Sequence, residues 1–295
     1  MKTVAGFLVV ASFVAGLTSC QKEIDGGVTN NPQSADTILI KSVVYLDTTK
    51  APGLDTMFKS EYTYDNTRRL VNSFSAEYYY SPPSPPGMTT FNYDFFYNGN
   101  NQHPFKQIIT QGSLAPYHSF FTYNNSNFVI KDSSFSIATP STVSIQSYAT
   151  TASGGFVMVF KQKDLISGSV TDRDSVLYRR VITAGNILSG VDSSYHPTLG
   201  LRTINYAYIY DNKTNPFLSL VSVNTYLGSY FFSGDGILPV GRNNATSFSE
   251  TYFDGINTNQ TAGTVNYTYR SDGLPLTGRI TGHPDVNKVL FSYYN

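Results

Sequence analysis

Apolar residues fall into two patterns along the chain. From Val4 to Gly16 they form one unbroken, uncharged run. From about Ile38 onward they alternate with polar residues instead. In the segment Arg202-Thr203-Ile204-Asn205-Tyr206-Ala207-Tyr208-Ile209-Tyr210, one face carries Ile204, Tyr206, Tyr208 and Tyr210. Val265, Tyr267 and Tyr269 share a face near the C-terminus, as do Val289, Phe291 and Tyr293. A period of two over such lengths predicts β-strands with one side buried. No stretch beyond the N-terminal run sustains a helical period with caps, so low helix content is expected.

A unit recurs within the alternating region. An aromatic-x-aromatic pair is followed by a bend rich in Asn, Asp, Gly and Ser, and then by an apolar residue, often beside proline. It stands as Tyr62-Thr63-Tyr64-Asp65-Asn66, as Phe95-Phe96-Tyr97-Asn98-Gly99 and as Phe121-Thr122-Tyr123-Asn124-Asn125. It returns as Tyr208-Ile209-Tyr210-Asp211-Asn212, as Tyr230-Phe231-Phe232-Ser233-Gly234-Asp235 and as Tyr267-Thr268-Tyr269-Arg270-Ser271-Asp272-Gly273. Weaker copies are read at Phe156 to Phe160 and at Val176 to Tyr178. Asp and Asn bond the backbone just ahead of them, and Gly or Asn tolerates positive φ, so each unit predicts a hairpin. A single hairpin cannot bury its aromatic side, whereas several side by side can. The expected fold is therefore all-β, one domain over 38–295. It is drawn as an antiparallel meander of repeated hairpins curling into a half-barrel or open barrel, with a two-sheet sandwich as the alternative.

At these residues the chain resembles a group of uncharacterised Bacteroidota surface lipoproteins with Tyr-x-Tyr-Asp hairpin repeats. Tyr210-Asp211-Asn212-Lys213-Thr214-Asn215-Pro216-Phe217, the later Arg242-Asn243-Asn244 and the closing Phe291-Ser292-Tyr293 carry that resemblance. The units also look distantly like the tyrosine-aspartate repeats of large secreted bacterial proteins. Neither resemblance implies a reaction.

The N-terminal run has its own meaning. Met1-Lys2 supplies a positive start, Val4–Gly16 is too short to span a bilayer as a helix, and Leu17-Thr18-Ser19-Cys20 ends in small residues before a cysteine. This ending resembles the lipobox of bacterial lipoproteins. The resemblance implies a signal peptide over 1–19, cleavage before Cys20 and acyl chains on that cysteine. An ordinary signal peptide with a chance cysteine is the alternative. Two or more acyl chains hold a protein to a membrane stably. Gln21-Lys22-Glu23-Ile24-Asp25 resembles the signal that sends Bacteroidota lipoproteins to the outer face of the outer membrane, with a periplasm-facing position as the alternative. Residues 20–37 then read as a lipidated tether, and GGVTNNPQSA over 26–35 has linker composition.

Composition narrows the function classes. Cys20 is the sole cysteine, which excludes disulfides and thiolate metal clusters from the body. Net charge is zero and charged residues make up 14%, so no nucleic-acid-binding surface is expected. Three of the four histidines (His103, His196 and His283) precede proline, His118 stands beside Tyr117, and no pair has metal-ligand spacing. Asp65, Asp211, Asp235 and Asp272 are read as turn residues, not calcium ligands, because each bend offers too few oxygens. Gly-x-Ser-x-Gly is absent, and Ser153-Gly154-Gly155 lacks a phosphate loop's lysine. Tyr78-Tyr79-Tyr80, ahead of a stiff proline tract, is read as hairpin packing, with sugar stacking as the alternative. Asp36-Thr37, Asp47-Thr48, Asp55-Thr56 and Asp174-Ser175 resemble Bacteroidota O-glycosylation acceptors.

The expected protein is accordingly not an enzyme. It has no cofactor or metal and is held to the outer membrane through Cys20. It acts as a structural or interaction module of the cell surface. The alternative is a binding module for an apolar or glycan ligand on the concave aromatic face. An envelope hydrolase ranks last.

Overall fold

The computed structural model describes residues 38–79, 87–125, 129–150, 156–184, 186–196, 200–217, 220, 238 and 241–294. Sixteen strands follow one another: β1 (Ile40–Leu46), β2 (Thr56–Tyr64), β3 (Leu70–Tyr79), β4 (Gly87–Phe96), β5 (Lys106–Gln111), β6 (Tyr117–Tyr123), β7 (Val129–Ser136) and β8 (Thr142–Thr150). Then come β9 (Phe156–Asp164), β10 (Val170–Thr183), β11 (Asn186–His196), β12 (Gly200–Thr214), β13 (Asn243–Phe253), β14 (Thr258–Tyr269), β15 (Pro275–Thr281) and β16 (Lys288–Tyr293). Each pairs antiparallel with its neighbours in sequence, and β1 pairs with β16, so the sheet closes into a barrel. The all-β meander stands as expected. The half-barrel and the sandwich do not, because every strand, the first and last included, has a hydrogen-bonded partner on both sides. A free edge attracts further strands, and closure removes it. The seam is reinforced by Ser42 Oγ and Ser292 Oγ 2.7 Å apart, and by the Tyr294 hydroxyl donating to Tyr62 O at 2.8 Å.

Because neighbouring strands alternate in direction, bends fall at two rims. Leu39 leads into β1 at one of them, the entry rim, where β2–β3, β4–β5 and every later even-to-odd connection turn back. Odd-to-even connections turn at the far rim. The aromatic hairpin unit belongs to the entry rim. Tyr62 and Tyr64 end β2, Phe95 stands at the end of β4 with Tyr97 just beyond it, Phe121 and Tyr123 end β6, and Tyr293 ends β16. The paired rings lie on the inner side and touch: Tyr208 and Tyr210 have centroids 6.2 Å apart, and Tyr267 and Tyr269 5.9 Å. Each terminal phenol then reaches the preceding hairpin. Tyr97 donates to Leu70 O at 2.7 Å, Tyr123 to Pro104 O at 2.6 Å, Tyr210 to Ile187 O at 2.7 Å and Tyr293 to Pro275 O at 2.7 Å. Aromatic area and a hydrogen bond therefore join one hairpin to the next, at about 1 kcal/mol per neutral bond. The weaker copies do not fit this scheme. Phe156 opens β9 and Val176–Tyr178 lies within β10, so neither stands before a bend. Tyr230 to Asp235 lies outside the described residues.

Register settles which side faces in. Val43, Tyr45, Tyr62, Val265, Ile280 and Val289 are buried on one side of β1, β2 and β14–β16. The opposite positions of β14 (Gln260, Ala262, Thr264, Asn266 and Thr268) are exposed. Ser247, Ser249 and Thr251 of β13 and Arg279 of β15 share that outer side by pairing. A lipid-facing barrel carries an apolar band about 25 Å tall on its outer side. Here that side is built from hydroxyl, amide and charged groups along β13–β15, with a Lys59–Glu61 ion pair on β2. The six-residue strands β5 and β16 are also short, roughly 20 Å end to end at ~3.4 Å per residue. Along β13–β15 the outer wall is therefore polar, while Phe96, Phe120, Val181 and Ile209 stand exposed on the outer side of β4, β6, β10 and β12.

Candidate functional site

The barrel interior has two unlike sectors. Along β14–β16 and β1–β4 it is packed solid. The long β12–β13 connection contributes Phe217, Leu220 and Leu238 to the same buried cluster as Ile40, Val43, Tyr62 and Phe291, and the Phe217 ring meets Phe291 edge-on at 6.2 Å. Its base is held by a polar clasp. Asn215 Nδ2 donates to Asn243 O at 3.2 Å, and Asn186 Nδ2 to Asn243 Oδ1 at 2.8 Å. Asp211 Oδ1 accepts from the amides of Lys213 at 2.9 Å and Asn244 at 3.1 Å, while Oδ2 accepts a short bond from the Tyr269 hydroxyl. The Asn-Pro-Phe and Asn-Asn segments, 28 residues apart in sequence, are thus each other's partners.

From β5 to β13 the inner side changes character. Gln107 and Ser119 are buried there, and Asp132, Gln146, Tyr148, Tyr178, Arg180, Asp192, Tyr206 and Glu250 follow across the pairing. Most are half-buried, unlike the sealed residues of the other sector, so water reaches this side of the lumen. Four groups meet on β10–β13. Arg180 Nε donates to the Tyr206 hydroxyl at 2.9 Å, and that hydroxyl donates to Asp192 Oδ1 at 3.1 Å. Arg180 also pairs with Asp192 at 3.9 Å. Gly190 makes this possible, since the Tyr206 ring lies where a β-carbon would stand. Burial pushes the Asp192 carboxyl up, with Arg180 and Tyr206 opposing. It pushes Glu250 up too, helped by the charge of Asp192. Asp132 on β7 rises furthest, to about 7, through burial, and its Oδ1 has no hydrogen-bond partner among the described residues. Arg202 Nε is likewise buried without one. Unpaired buried polar atoms are costly and call for an explanation, such as a ligand or a bound water.

The residues singled out from sequence behave otherwise. Asp65, Asp211 and Asp272 all lie at the entry rim, and each serves its own bend. Burial works against the Asp65 carboxylate, but bonds from Arg69 and Thr67 outweigh it and hold its pKa below the usual value. Asp272 Oδ1 accepts from Leu274 N at 3.2 Å. His103 packs against Tyr123 in the β4–β5 bend, and His118 against Phe135 on the outer side. His283 Nδ1 caps the β15–β16 bend by accepting from the amides of Asp285 and Val286. His196 ends β11 opposite Gly200. Among the described residues, no three of His, Cys, Asp and Glu gather as metal ligands would. Tyr79 is exposed at the far-rim end of β3, with Tyr78 half-buried beside it. Cys20, Tyr80, Ser153-Gly154-Gly155 and Asp235 lie outside the described residues. The inner acids Asp132, Asp192 and Glu250 were missed by the sequence reading. Their one local signal is an acidic residue on the face that carries neighbouring tyrosines.

No protein-family model matches the chain, and no curated protein matches it in sequence. Among solved structures it is similar to a porin-like protein from Bacteroides uniformis, 12% identical with a TM-score of 0.47, over 86% of this chain and 96% of that one. It is similar also to a porin-like protein from Bacteroides vulgatus, 11% identical with a TM-score of 0.44, over 87% and 99% of the two chains. The account of this chain's function rests on its own residues.

The raised Asp132 carboxyl fixes a sign for stability against pH. Protonated, it suits its site. Ionised, it costs the folded state free energy that the unfolded chain does not pay. Its contribution is therefore fully present below the unfolded value of 3.8 and is lost as pH rises toward about 7. Asp132→Asn is expected to stabilise the barrel at pH 8 by about 2 to 4 kcal/mol, with the gain shrinking to nothing near pH 4. Urea unfolding of both forms across that range checks it.

Proposed function

We propose that this protein is a non-catalytic, lipid-anchored barrel of the outer membrane, facing the cell exterior, which binds a glycan in the open sector of its lumen. Cys20 carries the acyl chains, and residues 20–37 form the tether that enters the barrel at β1. The anchor rests on the lipobox-like Leu17-Thr18-Ser19-Cys20, and the surface position on Gln21-Lys22-Glu23-Ile24-Asp25. The polar outer side of β13–β15 suits a barrel that meets water along that arc.

One observation carries the binding reading. Among the described residues, one half of the lumen is packed with the chain's own apolar side chains and the other half is lined by half-buried tyrosines, carboxylates and unpaired polar atoms. Aromatic faces beside hydrogen-bond acceptors fit sugar rings, whose C–H faces stack while their hydroxyls donate. The charged Arg180–Tyr206–Asp192 group argues against a purely apolar ligand, which would leave those groups desolvated and unrewarded. A hydrolase is not favoured, because Asp192 is tied to Arg180 and Tyr206.

Two experiments test these parts separately. Titration with an array of neutral plant, mucin and microbial oligosaccharides, followed by the protein's tyrosine emission and by calorimetry, is expected to find at least one binder. Tyr206→Phe, which removes the hydroxyl bonded to both Arg180 and Asp192, should weaken that binder by roughly 5-fold to 15-fold, the worth of about one to one and a half kcal/mol. No binder in the array, or full affinity in Tyr206→Phe and Glu250→Gln alike, would contradict the lumen site. For the anchor, radiolabelled palmitate should be retained by the wild-type chain and lost in Cys20→Ala, and equal labelling of the two removes the lipoprotein reading.

A further inference from the structure

The bends of the two rims present different residues. Bends of the entry rim carry Asp65, Arg68, Arg69, Asn98, Arg270 and Asp272. Successive hairpins of the far rim instead present large apolar side chains to solvent. Met88 stands at β3–β4, Leu114 at β5–β6, Ile137 at β7–β8, Ile166 at β9–β10, Leu201 at β11–β12 and Ile256 at β13–β14. Ile166 is 86% exposed and Ile256 73%. Among the described residues nothing covers them, and they recur on six successive hairpins of one rim. Tyr79 and Tyr195, more than half exposed, stand just behind the tips, where amphipathic rings sit at membrane interfaces.

We propose that the far rim is a bilayer-contacting surface, dipping its apolar hairpin tips into the outer part of the leaflet. Hairpins spread over β3 to β14 bring these six side chains to one rim of a tube. The tips are built for shallow immersion. At the two most exposed ones an aspartate folds back on the bend: Asp164 Oδ1 accepts from the amides of Ile166 at 2.9 Å and Ser167 at 2.7 Å. Asp254 Oδ1 accepts from those of Ile256 at 2.8 Å and Asn257 at 2.7 Å. The isoleucine's own amide is therefore already bonded, so the tip takes no bare donor out of water. Reach is not limiting. The 17 residues from Gln21 to Thr37 extend to roughly 55–60 Å, so a chain anchored at Cys20 can present either rim to its membrane. The bends at these tips carry no lysine or arginine between Gly112 and Pro116, between Ile137 and Ser141, or between Leu165 and Ser169. Attraction is therefore apolar and does not need anionic lipid.

In its anchored reach the proposal draws on the lipoprotein reading, but its test does not. All strand pairs lie between residues 40 and 293, so the chain 38–295 carries the whole closed barrel without the anchor. That protein is mixed with phosphatidylcholine vesicles and floated on a density gradient. It should float with the vesicles, and raising the salt should not release it. Ile166→Asp with Ile256→Asp should lower partitioning by roughly tenfold or more. Leu114→Ser with Ile137→Ser, at other tips, should lower it in the same direction, and Leu276→Asp at the entry rim should leave it unchanged. Circular dichroism and thermal unfolding confirm that each variant keeps the fold. A parent protein that stays out of the vesicle fraction overturns the proposal. So does equal loss in Leu276→Asp, or a concentration-dependent dimer that the tip variants dissolve without affecting flotation.

Discussion

Pairing of the first strand with the last turns a long meander into a tube, and the other features of the molecule follow from that seam. In an open sheet both sides meet solvent to some degree, and a period-two pattern distinguishes only a wetter side from a drier one. Once β1 lies against β16, one side of every strand becomes lumen and the other becomes wall. Val43 and Phe291 pair across the seam on the lumen side, and Val44 with Leu290 on the outer side. The tyrosines that end the even strands then point at one another across a shared interior, and each hydroxyl can find the backbone of the hairpin before it.

A tube of sixteen strands is wider than its own side chains can fill. Among the described residues, the chain fills the side next to the seam: it presses Phe217, Leu220 and Leu238 onto those strands and pins the ends of the β12–β13 connection with Asp211, Asn215, Asn243 and Asn244. The stiff, sealed half supports an opposite half whose inner acids sit where burial raises their pKa values.

The parts of this structure that sequence made legible are local ones. Tyr62-Thr63-Tyr64-Asp65 and Tyr267-Thr268-Tyr269 announced strands ending in bends, because alternation and turn chemistry are properties of a few adjacent residues. Closure was not legible, since nothing in Ile40–Leu46 or Lys288–Tyr293 names its partner, and the curvature that brings them together is spread over every strand between. The same limit hid the inner acids. Glu250 in Ser249-Glu250-Thr251 reads as an ordinary exposed carboxylate until the inward side is known. Asn215-Pro216-Phe217 and Arg242-Asn243-Asn244 stood out as motifs, but their mutual contact depends on how the connection between them folds back. The far-rim tips escaped notice for a further reason: an isolated Ile or Leu in a bend means little until six bends are found at one end of one tube.

Closure is open to a direct covalent test. With Cys20→Ala as background, Val44→Cys and Leu290→Cys place thiols at paired outer positions of β1 and β16, where the Cα separation across adjacent strands suits a disulfide. Val44→Cys with Lys59→Cys does the same across β1 and β2. Mild oxidation is predicted to cross-link both pairs within single chains, to similar extents and without loss of the β-sheet spectrum. Ready cross-linking of the 44–59 pair with free thiols at 44 and 290 would mean that the sheet is open, and the division into lumen and wall would fall with it.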